Sequence, residues 1–356
     1  MFNLDDLKKI VERSELFRDK EVHLTIIANP VAGGFTIRKK VDENIAMLKC
    51  ALASVENRPV VTLSCSAVLH MTNSAGHAKN LARSVLEIAA AETSPSTVYL
   101  IVTAGGDGTS LEVQCELAKK ILEEKNDTLS DRVCILRLPF GTGNDGSDGR
   151  KLDESLLLLT KKSHFEKQSA VVVYSKNHPD IVSYSFNIAS IGIDAFVTHM
   201  TNRVKNLFPG DFYKIWVDLA CVFYNRIYRV GKMSIIAFDA EGKTVKQHVD
   251  KMILYLMGAS GNRTYGSNQK ILPDGRNVCG IHEMSLAKKL AMKKHFKNGT
   301  HISFPVTEMY SASKLEIGYS EKILVQLDGE GCLLDVNDFP LVMELSKPFI
   351  SVIKPN

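Results

Sequence analysis

Three short apolar runs, each emptying into a glycine-bearing turn, constrain this chain more than any other feature. His23 to Ala28 (HLTIIA) ends at Asn29-Pro30, with Gly33-Gly34 close behind. Thr97 to Val102 runs into Gly105-Gly106-Asp107-Gly108-Thr109, and Val133 to Leu138 runs into Pro139-Phe140-Gly141-Thr142-Gly143-Asn144-Asp145. Apolar, partly β-branched runs of this length read as buried strands, and the glycines as the turns that end them. Between the strands, apolar residues at 78, 81, 82, 85, 86 and 89 recur at helical spacing, as they do from Leu111 to Leu122. Strands alternating with helices define an α/β sheet whose ligand sits at the strands' carboxyl ends. Val60 to Leu63 reads as a further strand, and Asn3 to Phe17 as a short amphipathic helix laid on this domain.

After about residue 165 the rhythm changes. Val171 to Tyr174, Ser183 to Ile188, Lys232 to Phe238, Met252 to Met257, His301 to Phe304 and Ile323 to Leu327 are short strand-like runs. A single helical stretch, Tyr213 to Phe223, carries the only tryptophan, Trp216. This pattern predicts a β-rich second domain, sandwich or barrel. A length of 356 residues suits two domains at roughly 150 residues each.

Composition excludes more than it assigns. A net charge of +4 is too small for a nucleic-acid-binding arm, so no nucleic-acid partner is expected. Seven cysteines without a CxxC pair argue against a disulfide framework or zinc ribbon and for a reducing, cytoplasmic setting. No run approaches the ~18 apolar residues of a membrane span, and the acidic start Met1-Phe-Asn-Leu-Asp-Asp is unlike a signal peptide.

Four places can carry chemistry. Glycines at 105, 106 and 108 let the backbone approach a phosphate, and the helix that follows offers free N–H groups to an anion. Asp107 repels phosphate, so it is placed there to hold Mg²⁺, bind a hydroxyl or polarise a nucleophile, or else simply to cap the helix. Gly141-Thr-Gly143-Asn-Asp-Gly146 matches GxGxxG, but residues 146 to 150 start a helix poorly and no strand-end acid follows about twenty residues later. Asp328-Gly329-Glu330 at a strand end supplies a general base and a metal contact, or forms a hairpin turn. The basic run Lys288 to Lys297 is either a solvated helix face or a contact for anionic lipid headgroups.

Taken in order, these motifs resemble the diacylglycerol kinase catalytic-domain family, which includes bacterial lipid kinases and sphingosine and ceramide kinases. Asn29-Pro30-Val31-Ala32-Gly33 resembles its NPxSG, and Thr72 to Ala78 its T-x-x-x-G-(D/H)-A. Gly105 to Val113 resembles GGDGTxxEV, and Pro139 to Asp145 resembles PxGTGND. Phe186 to Ala195 resembles FNxxSxGxDA, and Asp328 to Glu330 the terminal DGE. The order holds from about residue 23 to 353.

The resemblance implies a Rossmann-like α/β nucleotide domain (1–165 plus 336–356) followed by a β-sandwich-type lipid-substrate domain (166–335), with the active site in the cleft between them. It implies an ATP-dependent kinase that phosphorylates a lipid hydroxyl of diacylglycerol or sphingoid type. ATP would be surrounded by Asn29, Pro30, Val31, Ala32, Gly33, Thr72, Gly105, Gly106, Asp107, Gly108, Thr109, Ser110, Leu111, Thr142, Gly143 and Asn144. Glu330, or Asp328 beside it, would accept the proton of the attacking alcohol, and Asp107 would meet Mg²⁺. The lipid would be reached by transient contact with a membrane surface, and exposed strand edges make a homodimer an expectation. An NAD kinase shares GGDGT and the two-domain plan but lacks the other motifs, and a binding protein without turnover is the remaining alternative. Two departures stand out. Cys279 occupies the position where the family places an Asp that helps bind a structural Mg²⁺, so that site is expected to be altered or absent. Gly146 stands where a large apolar residue usually follows GTGND.

Overall fold

Thr97–Gly105 is buried at every position, as a strand must be when both sheet neighbours and both covering layers enclose it. The computed structural model describes residues 3–141, 144–204, 219, 222–228, 230–266 and 269–356. The chain forms two units, Met1–Gln168 with Pro348–Asn356, and Ser169–Lys347.

In the first unit, β1 (Glu21–Ala28), β2 (Ser64–Met71), β3 (Thr97–Gly105) and β4 (Val133–Pro139) lie parallel in the order β2-β1-β3-β4. The C-terminal strand Ile350–Pro355 continues the sheet parallel to β4, and β5 (Ser163–Gln168) closes it antiparallel. Helices α1 (Leu4–Glu12), α2 (Gly33–Thr36), α3 (Arg38–Val55), α4 (His77–Ala91), α5 (Asp107–Ala118), α6 (Thr128–Arg132) and α7 (Leu152–Thr160) complete the unit. Leu7, Ile10 and Val11 bury the apolar face of α1 in a core shared with β1, β3 and β4, where a docked helix was expected.

The second unit is a curled antiparallel sheet of eleven strands. Its strands are β6 (Val171–Ser175), β7 (His178–Ser185), β8 (Ile188–Gly192), β9 (Lys232–Phe238), β10 (Thr244–Gly258), β13 (Val278–His282), β14 (Thr307–Tyr310), β15 (Lys314–Gly318), β16 (Ile323–Leu327), β17 (Glu330–Leu334) and β18 (Leu341–Leu345). A separate ribbon pairs β11 (Arg263–Tyr265) with β12 (Gln269–Leu272). The fifteen-residue β10 makes the curl: Thr244–Lys251 pairs with β9, and Met252–Gly258 with β8 and β13. Ile191, Tyr255 and Val325 from one half pack with Ile235, Leu315 and Val342's neighbour Met343 from the other in one core. Helices α8 (Ile193–Val204) and α9 (Leu286–Asn298) cover its outside.

Several elements differ from the sequence reading. The second strand is Ser64–Met71, and Val60 and Leu63 are exposed outside it. The run 183–188 is two strands broken at Phe186-Asn187, and 301–304 holds a 3-10 turn, Thr300–Ser303, that buries His301 against Phe296. The helix expected from Leu111 starts at Asp107. Leu341–Leu345 belongs to the second unit's sheet, so the chain returns to the first unit at Pro348 and not at 336. Most of the stretch 213–223, with Trp216, lies outside the described residues.

Candidate nucleotide and proton-transfer sites

Parallel register brings the motif loops of the first unit to one edge. Ala28 is level with both Met71 and Ala104, and Gly105 is level with Pro139. Asn29, Thr72, Gly106 and Phe140 therefore leave the sheet side by side. The strand order reverses direction between β1 and β3, the topological switch point where open α/β sheets bind ligands.

Backbone hydrogen bonds stitch these loops together. Asn29 N–H donates to the Ala104 carbonyl at 2.9 Å, and Thr72 N–H to Ala28 at 2.8 Å. Gly34 N–H donates to Phe140, and Phe140 N–H to Gly105. Asn29 Oδ1 accepts from Val31 N–H, folding the Asn29–Gly33 turn so that Val31 is 77% exposed. Gly141 packs so close to Gly106 that a Cβ on it would fall 2.5 Å from the Gly106 Cα. Only glycine permits two loops to approach in this way.

Asp107 opens α5 and its carboxylate accepts N–H groups from Asp145 (3.4 Å) and Gly146 (3.0 Å). It thus ties the third loop to the helix N-terminus. Ser110 Oγ bonds Thr103 Oγ1 at 2.7 Å and anchors the first turn to β3, while Gly108 is exposed with open space around it. Thr109 and Ser110 are buried, and Leu111 is half-buried behind them. Asn144 closes the third loop with a left-handed backbone (φ 61°), its Oδ1 accepting from Gly141 N–H. Thr142 and Gly143, expected at the nucleotide, lie outside the described residues.

Sequence reasoning missed a second clamp on the same loop. The buried Arg137 guanidinium meets Asp148 in a bidentate pair and donates to Gln114 Oε1 at 3.1 Å, while Arg137 N–H donates to Asp148 Oδ2. This pair fixes 144–148 where Gly146 replaces the apolar residue of the family pattern. Glu112, seen only as a motif letter, accepts N–H groups of Gly76 and Lys79 and caps α4.

In the second unit Asp328 and Gly329 form the two-residue turn of the β16–β17 hairpin, both with positive φ (48° and 93°). Asp328 accepts four bonds of 2.5–3.0 Å: from Ser185 Oγ and from the N–H groups of Phe186, Asn187 and Ile188. Burial pushes its carboxyl above the usual range, and the four donors oppose that shift. Glu330 is exposed at the start of β17, and among the described residues nothing hydrogen-bonds its carboxylate. The DGE motif is therefore a hairpin turn that also presents one open acid.

An apolar cavity of about 100 Å³ lies in the same unit, lined by Val197, Ile253, Leu254, Ile271, Met292 and Phe296 among others. Asp194, in the first turn of α8, is its buried acid, with burial pushing its carboxyl up. It accepts from Ser190 Oγ and from Tyr265 OH, and Gln326 joins it to the Asp328 turn by donating to Ser190 Oγ (2.9 Å) and accepting from Gly329 N–H (2.8 Å). Cys279 sits in the apolar cluster beside this cavity, its thiol pushed up by burial and so kept protonated. A soft thiol does not fit the oxygen-ligand preference of Mg²⁺, so Cys279 is a poor replacement for a metal-binding Asp. Among the described residues no group of three or more His, Cys, Asp or Glu side chains could hold a metal ion.

A parallel sheet with three loops at its switch point, joined in sequence to a curled antiparallel sheet, defines a two-unit α/β protein. Residues 23–167 match the family model described as the diacylglycerol kinase catalytic domain, so the resemblance read from the motifs is borne out over those residues. A search of curated proteins finds no match. The chain is similar to a crystal structure from Bacillus anthracis str. Sterne described as "a putative diacylglycerol kinase", at 18% identity and a TM-score of 0.56, covering 94% of each chain. Another structure from the same organism, described as a diacylglycerol kinase, matches at 16% identity and a TM-score of 0.53, covering 94% of this chain and 96% of the other. These likenesses bear out the fold class across both units.

Proposed function

We propose that this chain is an ATP-dependent lipid kinase that moves the terminal phosphate of ATP to a lipid hydroxyl of diacylglycerol or sphingoid type. The observation that carries the proposal is the levelling of Asn29–Gly33, Thr72 and Gly105–Asp107 at the β1/β3 switch point beside the α5 N-terminus, an arrangement suited to receiving an anion. Phosphoryl transfer asks little covalent work of a protein. It asks for positioned phosphates, neutralised charge and a carboxylate aimed at the nucleophile.

Each requirement has a candidate. The three loops hold the phosphates. Asp107 offers one carboxylate, which suits Mg²⁺ carried on the nucleotide, because that ion binds through one or two carboxylates plus substrate phosphates. Bound there, the ion would neutralise charge on the transferring phosphoryl group. Glu330 takes the proton of the attacking alcohol, since Asp328 has its oxygens occupied. The apolar cavity receives part of the lipid: an engineered cavity of ~150 Å³ houses a benzene, so this one holds a short length of chain and not a whole acyl group. No helix among the described residues is long and apolar enough to cross a membrane, and the proposal has the protein visit the bilayer from outside.

The test is incubation with γ-labelled ATP and, separately, diacylglycerol, a sphingoid base, phosphatidylglycerol and NAD. Label is expected in one of the lipids and to depend on Mg²⁺. Label reaching NAD and no lipid would overturn the proposal, and label reaching nothing would leave a binding protein.

A further inference from the structure

Helix α9 has two unlike faces. Its inner face, through Lys289, Met292 and Phe296, closes the apolar cavity. Its outer face shows Leu286 and Leu290 one turn apart, each 45% exposed, with Lys288, Lys294 and Lys297 exposed around them. From Met284 to Thr307 the chain holds five lysines and no acid.

A second helical segment, over 222–227, is fastened to α9. Lys289 Nζ donates to Asn225 Oδ1 at 2.9 Å, and Asn225 Nδ2 donates to Glu283 Oε1 at 2.7 Å. Glu283 thus spends its charge on this joint and not on the outer surface. The segment exposes Val222, Phe223 and Ile227 beside Arg226, and no acid occurs from 222 to 238. Across the two segments five large apolar side chains are exposed, and the charged side chains that these segments themselves expose are all basic.

Scattered exposed leucines need no explanation, but a grouped set framed by like charges does. A protein partner could meet the apolar part, yet exposed lysines on α9 and Arg226 beside exposed apolar residues ask for a partner that is negative at its surface and apolar beneath. An anionic bilayer has that layering: headgroup charge outside, hydrocarbon a few ångströms below. Lysine stems reach along such a boundary while their ammonium groups stay in the headgroup layer.

We propose that α9 and the 222–227 segment form a docking surface for an anionic phospholipid bilayer, laid directly over the apolar cavity. Its purpose rests on the lipid-kinase reading, because a membrane-docked cavity is useful to a protein that draws its substrate from the bilayer. The docking itself stands on the charge and apolar pattern alone.

Co-sedimentation of the full chain with vesicles tests it, using phosphatidylcholine alone and phosphatidylcholine mixed with phosphatidylserine. The wild type is expected to prefer the anionic vesicles and to lose that preference as salt rises. Each lysine near such a surface contributes roughly five-fold in binding, so Lys288→Glu with Lys294→Glu and Lys297→Glu should lose about 100-fold or more. Leu286→Ser with Leu290→Ser should weaken binding to both vesicle types. All five positions are exposed, so both variants should keep the wild-type melting temperature and phosphorylate detergent-dispersed lipid at the wild-type rate. An absent anionic preference, or two folded variants that bind like wild type, would overturn the proposal. Failure to label dispersed lipid with vesicle binding intact would remove the kinase reading and leave the docking surface.

Discussion

Asp328 and Glu330 are two residues apart and live in opposite surroundings. Asp328 spends both oxygens on four donors, and those bonds fasten the β16–β17 turn to the break between β7 and β8. Glu330 faces water with its lone pairs open. A general base must have a free lone pair within reach of the proton it takes, so in the proposed reaction Asp328 would be the structural anchor and Glu330 the proton acceptor. Spacing in the sequence showed both acids but could not rank them, because the donors to Asp328 come from residues 185–188, about 140 positions earlier. Replacement separates the roles. Glu330→Gln should lower kcat by about 10²–10⁴ with an unchanged melting temperature. Asp328→Ala leaves four buried donors without an acceptor and should cost about 3 kcal/mol, a fall in Tm of roughly 6–12 °C. Calorimetry and steady-state kinetics on the pair check this, and a stable, inactive Asp328→Ala beside an active Glu330→Gln would reverse the assignment.

Among the elements, α5 opens the proposed phosphate site, and its beginning was the part the sequence concealed. Glycines at 105, 106 and 108 read as a turn, yet the helix starts at Asp107 because Thr109 and Ser110 N–H groups bond Gly106 and the Ser110 hydroxyl ties the turn to β3. Tertiary contact also set β2: no residue of Ser64–Met71 is fully buried and its exposure largely alternates, but its parallel pairing with β1 makes it the edge strand. The central strands and α4 were legible because full burial or a one-sided apolar stripe leaves its period in the residues. The position of Gly108 gives a clean test of the phosphate role. It lies in helical backbone with nothing within 4 Å of an added Cβ, so Gly108→Ala should hold or raise stability by about 0.4–1 kcal/mol. The same methyl group would stand where the loop meets phosphate, so KM for ATP should rise at least ten-fold. An alanine variant with unaltered ATP affinity would show that the nucleotide does not approach this turn.

For the whole molecule the order of the chain matters as much as its parts. The period change near residue 165 and the motif order made two domains visible, and the return of the C-terminus to the first one was read from the family resemblance. Where the chain returns was not visible, since Leu341–Leu345 and Ile350–Pro355 are both apolar strands and only their partners assign them to different sheets. The consequence is that the first unit, with its motifs all before residue 146, depends on nine residues from the far end of the sequence. Ile350–Pro355 lies between β4 and β5, Ser130 Oγ donates to the Phe349 carbonyl, and Phe349, Ile350, Val352 and Ile353 are buried. Burying four such side chains is worth about 6–12 kcal/mol, comparable to the 5–15 kcal/mol that holds a typical domain together. Removing residues 348–356 should therefore unfold the first unit and abolish binding of an ATP analogue, although no nucleotide-site residue is touched. Alanine at Lys354 and Asn356, both at the strand's end, should leave binding within two-fold, roughly the span of a surface substitution. A truncated chain that still binds the analogue with wild-type affinity would mean that the last strand is dispensable and that the parallel sheet is complete at β4.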